Sequence, residues 1–348
     1  MNQLRMRTKC IKGLFLLLFQ LIMLACVDTS TQQAPPHPLE VAASAPSNGV
    51  FEARGHWDAV TTSAFSADGR FLATGSADMT IRIWDLIKRE EIALLSGHSQ
   101  TVSTLAFSKD GRRLVSGSFD MSVRLWDLES GAEMRRMLGH KRFVTRVKFF
   151  PDQFRVASAS GDNTIKVWDL ESGQVLATLS GHQQTINDIE IDSTGQTLFS
   201  AGEDKTIRVW DVRAARQKFH LLGHTNWVTD IEFNAEANLL LSCDFAGGIY
   251  LWDLNQKKII RKFEGHSTPV NRVRMDLDRN FIISTSQSET DGEKEVANPI
   301  WMWELSSGKK LKAFSGHEGQ IEDFYVSRDK NEFLSIGLDE HILRWNYE

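Results

Sequence analysis

The stretch VTTSAFSADGRFLATGSADMTIRIWD, residues 60–85, holds the pattern that decides the fold. Three short runs rich in β-branched and apolar residues are separated by Asp68-Gly69 and by Ser76-Ala77-Asp78, both of which are turn-forming sequences. A fourth run follows at residues 91–95. The pattern predicts a unit of four short antiparallel strands joined by tight turns.

This unit is repeated along the chain. Gly-His pairs begin at residues 55, 97, 139, 181, 223, 265 and 316, so the spacing is 42 residues five times and then 51. A tryptophan recurs in phase at residues 84, 126, 168, 210, 252, 303 and 345. Five of these tryptophans precede Asp, whereas the sixth and seventh precede Glu304 and Asn346. Seven copies in phase indicate an all-β repeat protein.

A period of 42 residues marked by Gly-His and Trp-Asp resembles the WD-repeat family, whose repeat builds one four-stranded blade of a β-propeller. The resemblance covers residues 50–348 and implies an all-β, seven-bladed WD-repeat β-propeller. The chain stops just after the third strand of the seventh unit, while a surplus strand at residues 50–54 precedes the first Gly-His pair. We expect residues 50–54 to pair with residues 341–346, which closes the ring and removes an exposed sheet edge.

The resemblance also implies a hydrogen-bonded network in each blade. Its members are the Gly-His histidine, a Ser or Thr ten residues before the tryptophan, an Asp six residues before it, and the tryptophan itself. Carried over to this sequence they are His56, Thr74, Asp78, Trp84; His98, Ser116, Asp120, Trp126; His140, Ser158, Asp162, Trp168; His182, Ser200, Asp204, Trp210; and His317, Ser335, Asp339, Trp345. A Ser, His and Asp set also suggests nucleophilic catalysis. A nucleophile would be singular, however, so we interpret the recurring set as structural.

Two units depart from this pattern. In the fifth, Ala246 stands at the position of the network Asp, and Asp244 lies two places too early. In the sixth, Ala297 stands there, and nine extra residues enter around residues 286–299. Counting strands puts this insertion between the second and third strands, on the end of the propeller that carries the Gly-His loops. It is either a tolerated surface insertion or a functional one.

The same end is expected to carry unusual aromatic residues. The candidate partner-binding aromatics are Trp57, Phe119, Phe143, Trp227 and Phe245. Exposed aromatic residues gathered on one face mark binding hot spots. The alternative is that each ring packs into a neighbouring blade.

One aligned position near the start of the first strand of each unit alternates in charge in the middle of the ring. It places Arg146 beside Asp188, and Asp230 beside Arg272. These residues form either ion pairs between blades near the channel mouth or a charged recess that binds a peptide side chain or a small polar ligand. We therefore add Arg146 and Arg272 to the candidate partner-binding residues.

The N-terminal segment has the composition of a signal. Residues 1–12 are basic, residues 13–25 are apolar, and Ala25-Cys26 ends the apolar run. This resembles a bacterial lipoprotein signal, and the resemblance implies that residues 1–25 are removed and that Cys26 is lipidated. An ordinary cleaved signal or an uncleaved anchor are the alternatives. Residues 26–49, rich in Pro, Ser, Thr and Ala, are interpreted as a tether.

The position after the lipidated cysteine bears on localisation. Val27 stands there instead of Asp, which favours the outer membrane under the lipoprotein sorting rule that this signal resembles. The sequence therefore predicts a protein of the bacterial cell envelope, anchored by lipid and facing the periplasm.

Composition and motifs exclude several function classes. Residues 26–348 carry 36 basic and 45 acidic groups, a net charge of −9, which argues against a nucleic-acid partner. With three cysteines the chain has no disulfide framework, and Cys243 is expected to be a small buried apolar residue. No phosphate-binding glycine loop and no HExxH or CxxC motif occurs, so neither a cofactor nor a metal is predicted.

The expected function is that of a non-catalytic scaffold. WD-repeat proteins are mostly interaction platforms, so the resemblance implies binding of a protein or peptide partner, here on the Gly-His end of the propeller. We expect a monomeric propeller within a larger complex. The alternative is a propeller that binds a small ligand, or acts as an enzyme, through its central channel.

Overall fold

A computed structural model describes residues 51–52, 55–287, 289–291, 294–296, 298–327 and 331–346. All regular structure within them is β-strand. The predicted signal, the lipidation site Cys26, the tether and Ala297 lie outside the described residues. Within the described residues no helix offers the length and apolarity that a membrane crossing requires.

The strands form seven four-stranded antiparallel sheets, or blades, as the sequence predicted. Blades 1 to 4 are β2 (Val60–Phe65), β3 (Phe71–Ser76), β4 (Thr80–Asp85), β5 (Glu90–Ser96); β6 (Val102–Phe107), β7 (Arg113–Ser118), β8 (Ser122–Asp127), β9 (Glu133–Leu138); β10 (Val144–Phe149), β11 (Arg155–Ser160), β12 (Thr164–Asp169), β13 (Val175–Ser180); and β14 (Ile186–Ile191), β15 (Thr197–Gly202), β16 (Ile207–Asp211), β17 (Arg216–Leu221).

Blades 5 to 7 complete the ring. They are β18 (Val228–Asn234), β19 (Leu239–Asp244), β20 (Ile249–Asp253), β21 (Lys258–Phe263); β22 (Val270–Asp276), β23 (Phe281–Ser286), β26 (Ile300–Glu304), β27 (Lys310–Phe314); and β28 (Ile321–Val326), β29 (Glu332–Gly337), β30 (His341–Asn346), β1 (Phe51–Glu52). The insertion in blade 6 forms a hairpin of β24 (Glu289–Asp291) and β25 (Lys294–Val296) between the second and third strands.

The register defines two ends of the ring. In blade 1, Val60 at the start of β2 pairs with Ser76 at the end of β3. The Gly-His loop before the first strand therefore lies at the same end as the turn between the second and third strands. We call this the GH-loop end. The turns between the first and second strands lie at the other end, which we call the opposite end.

The core consists of apolar clusters between neighbouring blades. One cluster joins Ile165 and Val167 of blade 3 to Ile189 and Trp210 of blade 4. Because the inner strands are covered on both faces, their burial does not alternate strictly; in β3, five successive residues are buried. The outer strands are covered on one face only, and β5 alternates between exposed and covered positions.

Side chains of the first strands also join the blades directly. In five successive blades, a residue near the start of the first strand donates a hydrogen bond of 2.5–2.9 Å to a backbone carbonyl of the next blade, 41 residues on. The pairs are Thr61 to Val102, Ser103 to Val144, Thr145 to Ile186, Asn187 to Val228 and Thr229 to Val270. These bonds link each of the first five blades to the next one.

The ring closes where the sequence predicted. Phe51 pairs with Ile342 and Glu52 with His341, so the N-terminal strand supplies the fourth strand of blade 7. Leu72 and Trp84 of blade 1 share an apolar cluster with Ile336 and Ile342 of blade 7. The described residues thus form a closed seven-bladed propeller.

Candidate functional site

The predicted polar network forms a hydrogen-bonded chain inside the blade. In blade 2, His98 Nδ1 lies 2.9 Å from Asp120 Oδ2, and His98 Nε2 lies 2.7 Å from Ser116 Oγ. The Trp126 indole donates to the same hydroxyl over 2.8 Å. An ionised carboxylate only accepts, so Nδ1 carries the proton and Nε2 accepts from the hydroxyl. Each polar side chain of this network therefore has a hydrogen-bond partner.

Four other blades bring the predicted residues together in the same way. The distances are 2.8–3.0 Å from His Nδ1 to Asp, 2.7–2.9 Å from His Nε2 to the hydroxyl, and 2.7–2.9 Å from the indole to the hydroxyl. In blade 6, Ser284 lies 2.8 Å from both His266 Nε2 and Trp303 Nε1.

Blade 5 has a complete network as well, which the sequence pattern missed. The carboxylate of Asp244 lies 2.8 Å from His224 Nδ1, although Asp244 stands two places before the usual position. Its other oxygen accepts from the amides of Ala246 and Gly248, over 3.0 and 2.8 Å. A Cβ at Gly248 would lie 2.8 Å from Asp244 Oδ2, so glycine makes the room for this arrangement.

Burial and hydrogen bonding set the protonation of these networks. Burial lowers the pKa of His98, His182 and His224 against the opposing effect of their Asp partners, which favours neutral rings near pH 7. Burial alone would raise the pKa of Asp78, but hydrogen bonds from His56 and Thr80 lower it to about 2. Ser116 is fully buried and its oxygen already accepts from an indole, so the set has the atoms of a catalytic triad without access for a substrate.

One of the predicted aromatic residues at the GH-loop end is mostly exposed. Trp57 is 64% exposed, and its backbone amide donates to Asp78 over 3.2 Å, which fixes its loop on the network. Phe119 of blade 2 and Phe143 of blade 3 meet across the seam between blades with ring centroids 5.2 Å apart. Phe143 is only 9% exposed, because Gly161 provides the space that its ring fills. The expectation of an exposed ring is wrong for Phe143, whereas Phe119 is half-buried.

The second predicted aromatic pair lies within blade 5. The rings of Trp227 and Phe245 are 5.3 Å apart and half-buried, and the Phe245 amide donates to the Trp227 carbonyl over 2.9 Å. The hydrogen bond joins the Gly-His loop to the turn after β19. Both rings therefore keep part of their surface at the GH-loop end.

Two methionines add apolar surface that the sequence did not single out. Met79 and Met121 occupy the turns between the second and third strands of blades 1 and 2, and they are 37% and 43% exposed. Both have left-handed backbone, with φ of 69° and 67°, a conformation that favours Asn or Gly. Blade 3 carries Asn163 at this turn position. The signal available in the sequence was therefore an apolar residue at a left-handed turn position.

The charged residues of the channel form ion pairs rather than part of the GH-loop surface. Arg146 Nε lies 2.5 Å from Asp188, and one of its Nη atoms lies 3.2 Å from Asp230. Arg272 lies 3.5 Å from Asp230, and Arg274, which the sequence did not single out, lies 2.9 Å from it. The candidate partner-binding role of Arg146 and Arg272 stays a prediction. Their pairing matches the alternative of ion pairs between blades.

The described residues contain no cluster of three or more His, Cys, Asp or Glu side chains with the geometry of a metal site. Cys243 is buried, and burial raises the pKa of its thiol well above the usual value. It lies near Thr229 Oγ1, at 3.2 Å. The thiol is thus a packed core group.

Comparison with known proteins gives a family for the chain. A family profile described as "WD domain, G-beta repeat" matches residues 48–85, 89–127, 131–169, 173–211, 216–253 and 257–292. No significant match was found among curated proteins. The last match ends inside the insertion of blade 6, so the profile stops before the seventh blade that the structure contains. Because the matched segments cover more than half of the chain and lie in phase with its blades, this protein belongs to the WD-repeat family.

Proposed function

We propose that this protein is a non-catalytic scaffold that binds a protein or peptide partner on the GH-loop end of its propeller. The observation that carries the proposal is the apolar surface over blades 1 and 2. Trp57, Met79 and Met121 together present large apolar side chains at one end of the ring. The half-buried Phe119 lies two residues before Met121 in the same turn.

The backbone beneath this surface supports a binding role. Met79 and Met121 project from left-handed turn positions where an apolar side chain is not required, because blades 3, 4 and 7 carry polar residues there, Asn163, Lys205 and Glu340. Aromatic and methionine side chains are the residues that partner interfaces favour at their centres. We therefore place the centre of the partner's footprint on Trp57, Met79 and Met121, with Trp227 and Phe245 as a second contact on blade 5.

The way in which the polar residues are used supports a non-catalytic role. The Ser and Thr hydroxyls of the blade networks are buried and accept from an indole. In the channel, Arg146 and Arg272 form ion pairs with Asp188 and Asp230. These groups stabilise the fold, and a scaffold that only binds a partner requires no catalytic residue.

We further propose that lipid on Cys26 holds the scaffold at a bacterial membrane, facing the periplasm and favouring the outer membrane. The basic and apolar residues before Cys26 and the proline-rich residues after it support this. Several acyl chains give firm anchoring, since each buried methylene contributes about 0.8 kcal/mol. A flexible chain of the tether's length reaches roughly 25–30 Å, enough to present the propeller to a partner.

Partner capture tests the docking surface. Crosslinking in the native host from a photoreactive residue at position 57 identifies the partner, and pull-down with Trp57→Ser and Met121→Ser measures affinity. We expect each substitution to weaken capture at least fivefold while the unfolding midpoint stays unchanged. The matched control is Phe154→Ser, because Phe154 is 71% exposed at the opposite end. Unchanged capture by both GH-loop variants, or an equal loss with Phe154→Ser, would refute the proposed face.

Membrane fractionation tests the anchor separately. We expect Cys26→Ala to move the protein from the membrane fraction to the soluble periplasmic fraction. Cys10→Ala, which changes the other cysteine of the N-terminal segment, is expected to leave fractionation unchanged. A Cys26→Ala protein that still sediments with membranes would rule out the lipid anchor without bearing on the partner surface.

A further inference from the structure

The central channel is filled unevenly. Two aligned positions on the first strand of each blade carry charged or large side chains in blades 3 to 7 and small, uncharged ones in blades 1 and 2. The first position holds Thr62, Thr104, Arg146, Asp188, Asp230, Arg272 and Asp323, and the second holds Ala64, Ala106, Lys148, Glu190, Glu232, Arg274 and Tyr325. Blades 1 and 2 therefore leave space in the channel that the other blades fill.

This space is a cavity of about 410 Å³. Its lining includes Ala67, Lys109 and Gln153, which lie in or beside the turns between the first and second strands of blades 1 to 3. The cavity thus reaches the opposite end of the ring, away from the GH-loop surface. Gln153 accepts from the Lys109 amide over 2.8 Å, so the rim is joined across two blades. A volume of this size suits a small ligand or one large peptide side chain.

The lining of the cavity combines apolar rings with cations. Blades 1 to 3 contribute the half-buried rings of Phe65, Phe107 and Phe149, which form an apolar wall. Arg146 and Lys148 of blade 3 and Arg274 of blade 6 add cations to the lining. A ligand that fills the cavity must therefore combine an apolar body with a polar head.

Unused donors indicate the charge of that head. Arg146 uses Nε and one Nη on Asp188 and Asp230, so within the described part of the channel its other Nη has no partner. Lys148 donates to Glu190 and has further protons to donate. The hydroxyl of Ser63 also has no hydrogen-bond partner among the described residues, but it is buried below the cavity surface and is not one of these donors.

The acids at the cavity are already engaged. Asp188 accepts from Arg146 and from the Ile231 amide, and Asp323 accepts from Arg274 over 3.4 Å. The cavity therefore has more free donors than free acceptors, which favours an anionic head.

Four further carboxylates in the channel do not line the cavity. Glu190 and Asp230 are held by ion pairs with Lys148 and Arg274. Burial raises the pKa of Glu232 to about 8 and that of Glu322 to about 7, so both are partly or largely neutral near pH 7. The net negative charge of the channel is therefore reduced, and the charged groups that line the cavity determine which ligand it binds.

We propose that this cavity binds a small carboxylate with an apolar body, whose head contacts Arg146 and Lys148 and whose body packs against Phe65, Phe107 and Phe149. The ligand enters from the opposite end, so this site is separate from the partner surface. The same chemistry is offered by a free apolar carboxylate and by the C-terminal carboxylate of a peptide that ends in an apolar residue.

Isothermal titration calorimetry with the full propeller tests the site. The probes are 4-phenylbutyrate, 4-phenylbutanol and 4-phenylbutylamine, which share one apolar body and differ in the head. We expect the carboxylate to bind at least tenfold more tightly than the alcohol or the amine. Equal or tighter binding of the amine would overturn the assignment, and so would no binding of the carboxylate at concentrations up to about 10 mM.

One variant and two controls locate the binding. Ala106→Leu fills the cavity, and the fold tolerates larger side chains there because blades 3 to 7 carry them. We expect it to abolish binding without lowering the unfolding midpoint. Ser63→Ala removes a buried hydroxyl that has no partner in the described structure and does not reach the cavity, so we expect unchanged or higher stability and unchanged binding. Trp57→Ser is a second control that leaves binding unchanged. Wild-type affinity in Ala106→Leu would place the ligand elsewhere and overturn the proposal.

A peptide comparison separates the two sources of the ligand. An acetylated tetrapeptide ending in Phe is titrated with a free C-terminal carboxylate and, as a control, with a C-terminal amide. Tighter binding of the free-carboxylate peptide than of 4-phenylbutyrate supports capture of a protein C-terminus, and the reverse order supports a free carboxylate. Equal binding of the amide and the carboxylate peptides would overturn the anionic head.

Discussion

Blade 5 offers a sharp test of the polar network, because its acid comes from an unusual position. Asp244→Ser installs the residue that blades 1 to 3 carry at the aligned place, as Ser76 does in blade 1. Ser76 accepts from the Asp78 amide over 3.0 Å, so a serine at position 244 can still accept from the Ala246 amide. The main loss is the acceptor for His224 Nδ1–H.

The cost can be worked out from this one contact. The distance between His224 Nδ1 and the carboxylate is 2.8 Å, and the two residues are 8% and 0% exposed. A buried donor that loses a charged acceptor costs about 2–3 kcal/mol. We expect Asp244→Ser to lower the free energy of unfolding by that amount, measured by urea denaturation followed by tryptophan fluorescence.

A second substitution makes the test specific. Ala246 is exposed and stands where five other blades carry Asp, so Asp244→Ser combined with Ala246→Asp rebuilds the regular network. We expect the double variant to recover to within about 1 kcal/mol of the wild type, and Ala246→Asp alone to change stability by less than about 0.5 kcal/mol. A single Asp244→Ser variant as stable as the wild type, or a double variant no better than the single one, would refute the reasoning.

Two further predictions concern the channel and the closure of the ring. Burial raises the pKa of Glu232 from 4.5 to about 8, so the folded chain holds a proton that the unfolded chain releases, and stability falls as pH rises from about 4.5 to about 8. Glu232→Gln should therefore stabilise the protein by roughly 2–4 kcal/mol more at pH 8 than at pH 5. The control is Glu236→Gln, because Glu236 is exposed. An effect of Glu232→Gln that does not depend on pH, or the same effect from the control, would contradict the prediction. Deleting residues 50–54 removes the pairing of Phe51 and Glu52 with β30 and should lower the free energy of unfolding by about 1–3 kcal/mol. A thermal midpoint equal to that of a chain lacking residues 45–49 would count against this closure.

Much of the fold could be predicted from residues close in the repeat. The hydrogen bonds of each network join residues 10 to 22 positions apart, so the spacing of His98, Ser116, Asp120 and Trp126 already describes a blade. Closure by residues 50–54 followed from counting strands, and the paired residues Phe51 and Glu52 lie within that range.

The candidate site was harder to predict, because exposure depends on neighbouring blades. Phe143 looked like Trp57 in the sequence, yet its ring is covered because Gly161 in its own blade leaves room for it and Phe119 reaches it from the blade before. Met79 and Met121 are exposed because they occupy turns at the GH-loop end, a property of the turn position rather than of methionine.

The sequence by itself determined the number of blades, their phase and the polar network in five of them, since these rest on a pattern that recurs along the chain, five times at a spacing of 42 residues. The tertiary structure decided what depends on contacts between blades or on backbone geometry. Asp244 reaches His224 because Gly248 leaves space, which no spacing rule contains. The cavity exists because small residues of blades 1 and 2 face long residues that come from more than 40 positions away, and only the closed ring brings them together.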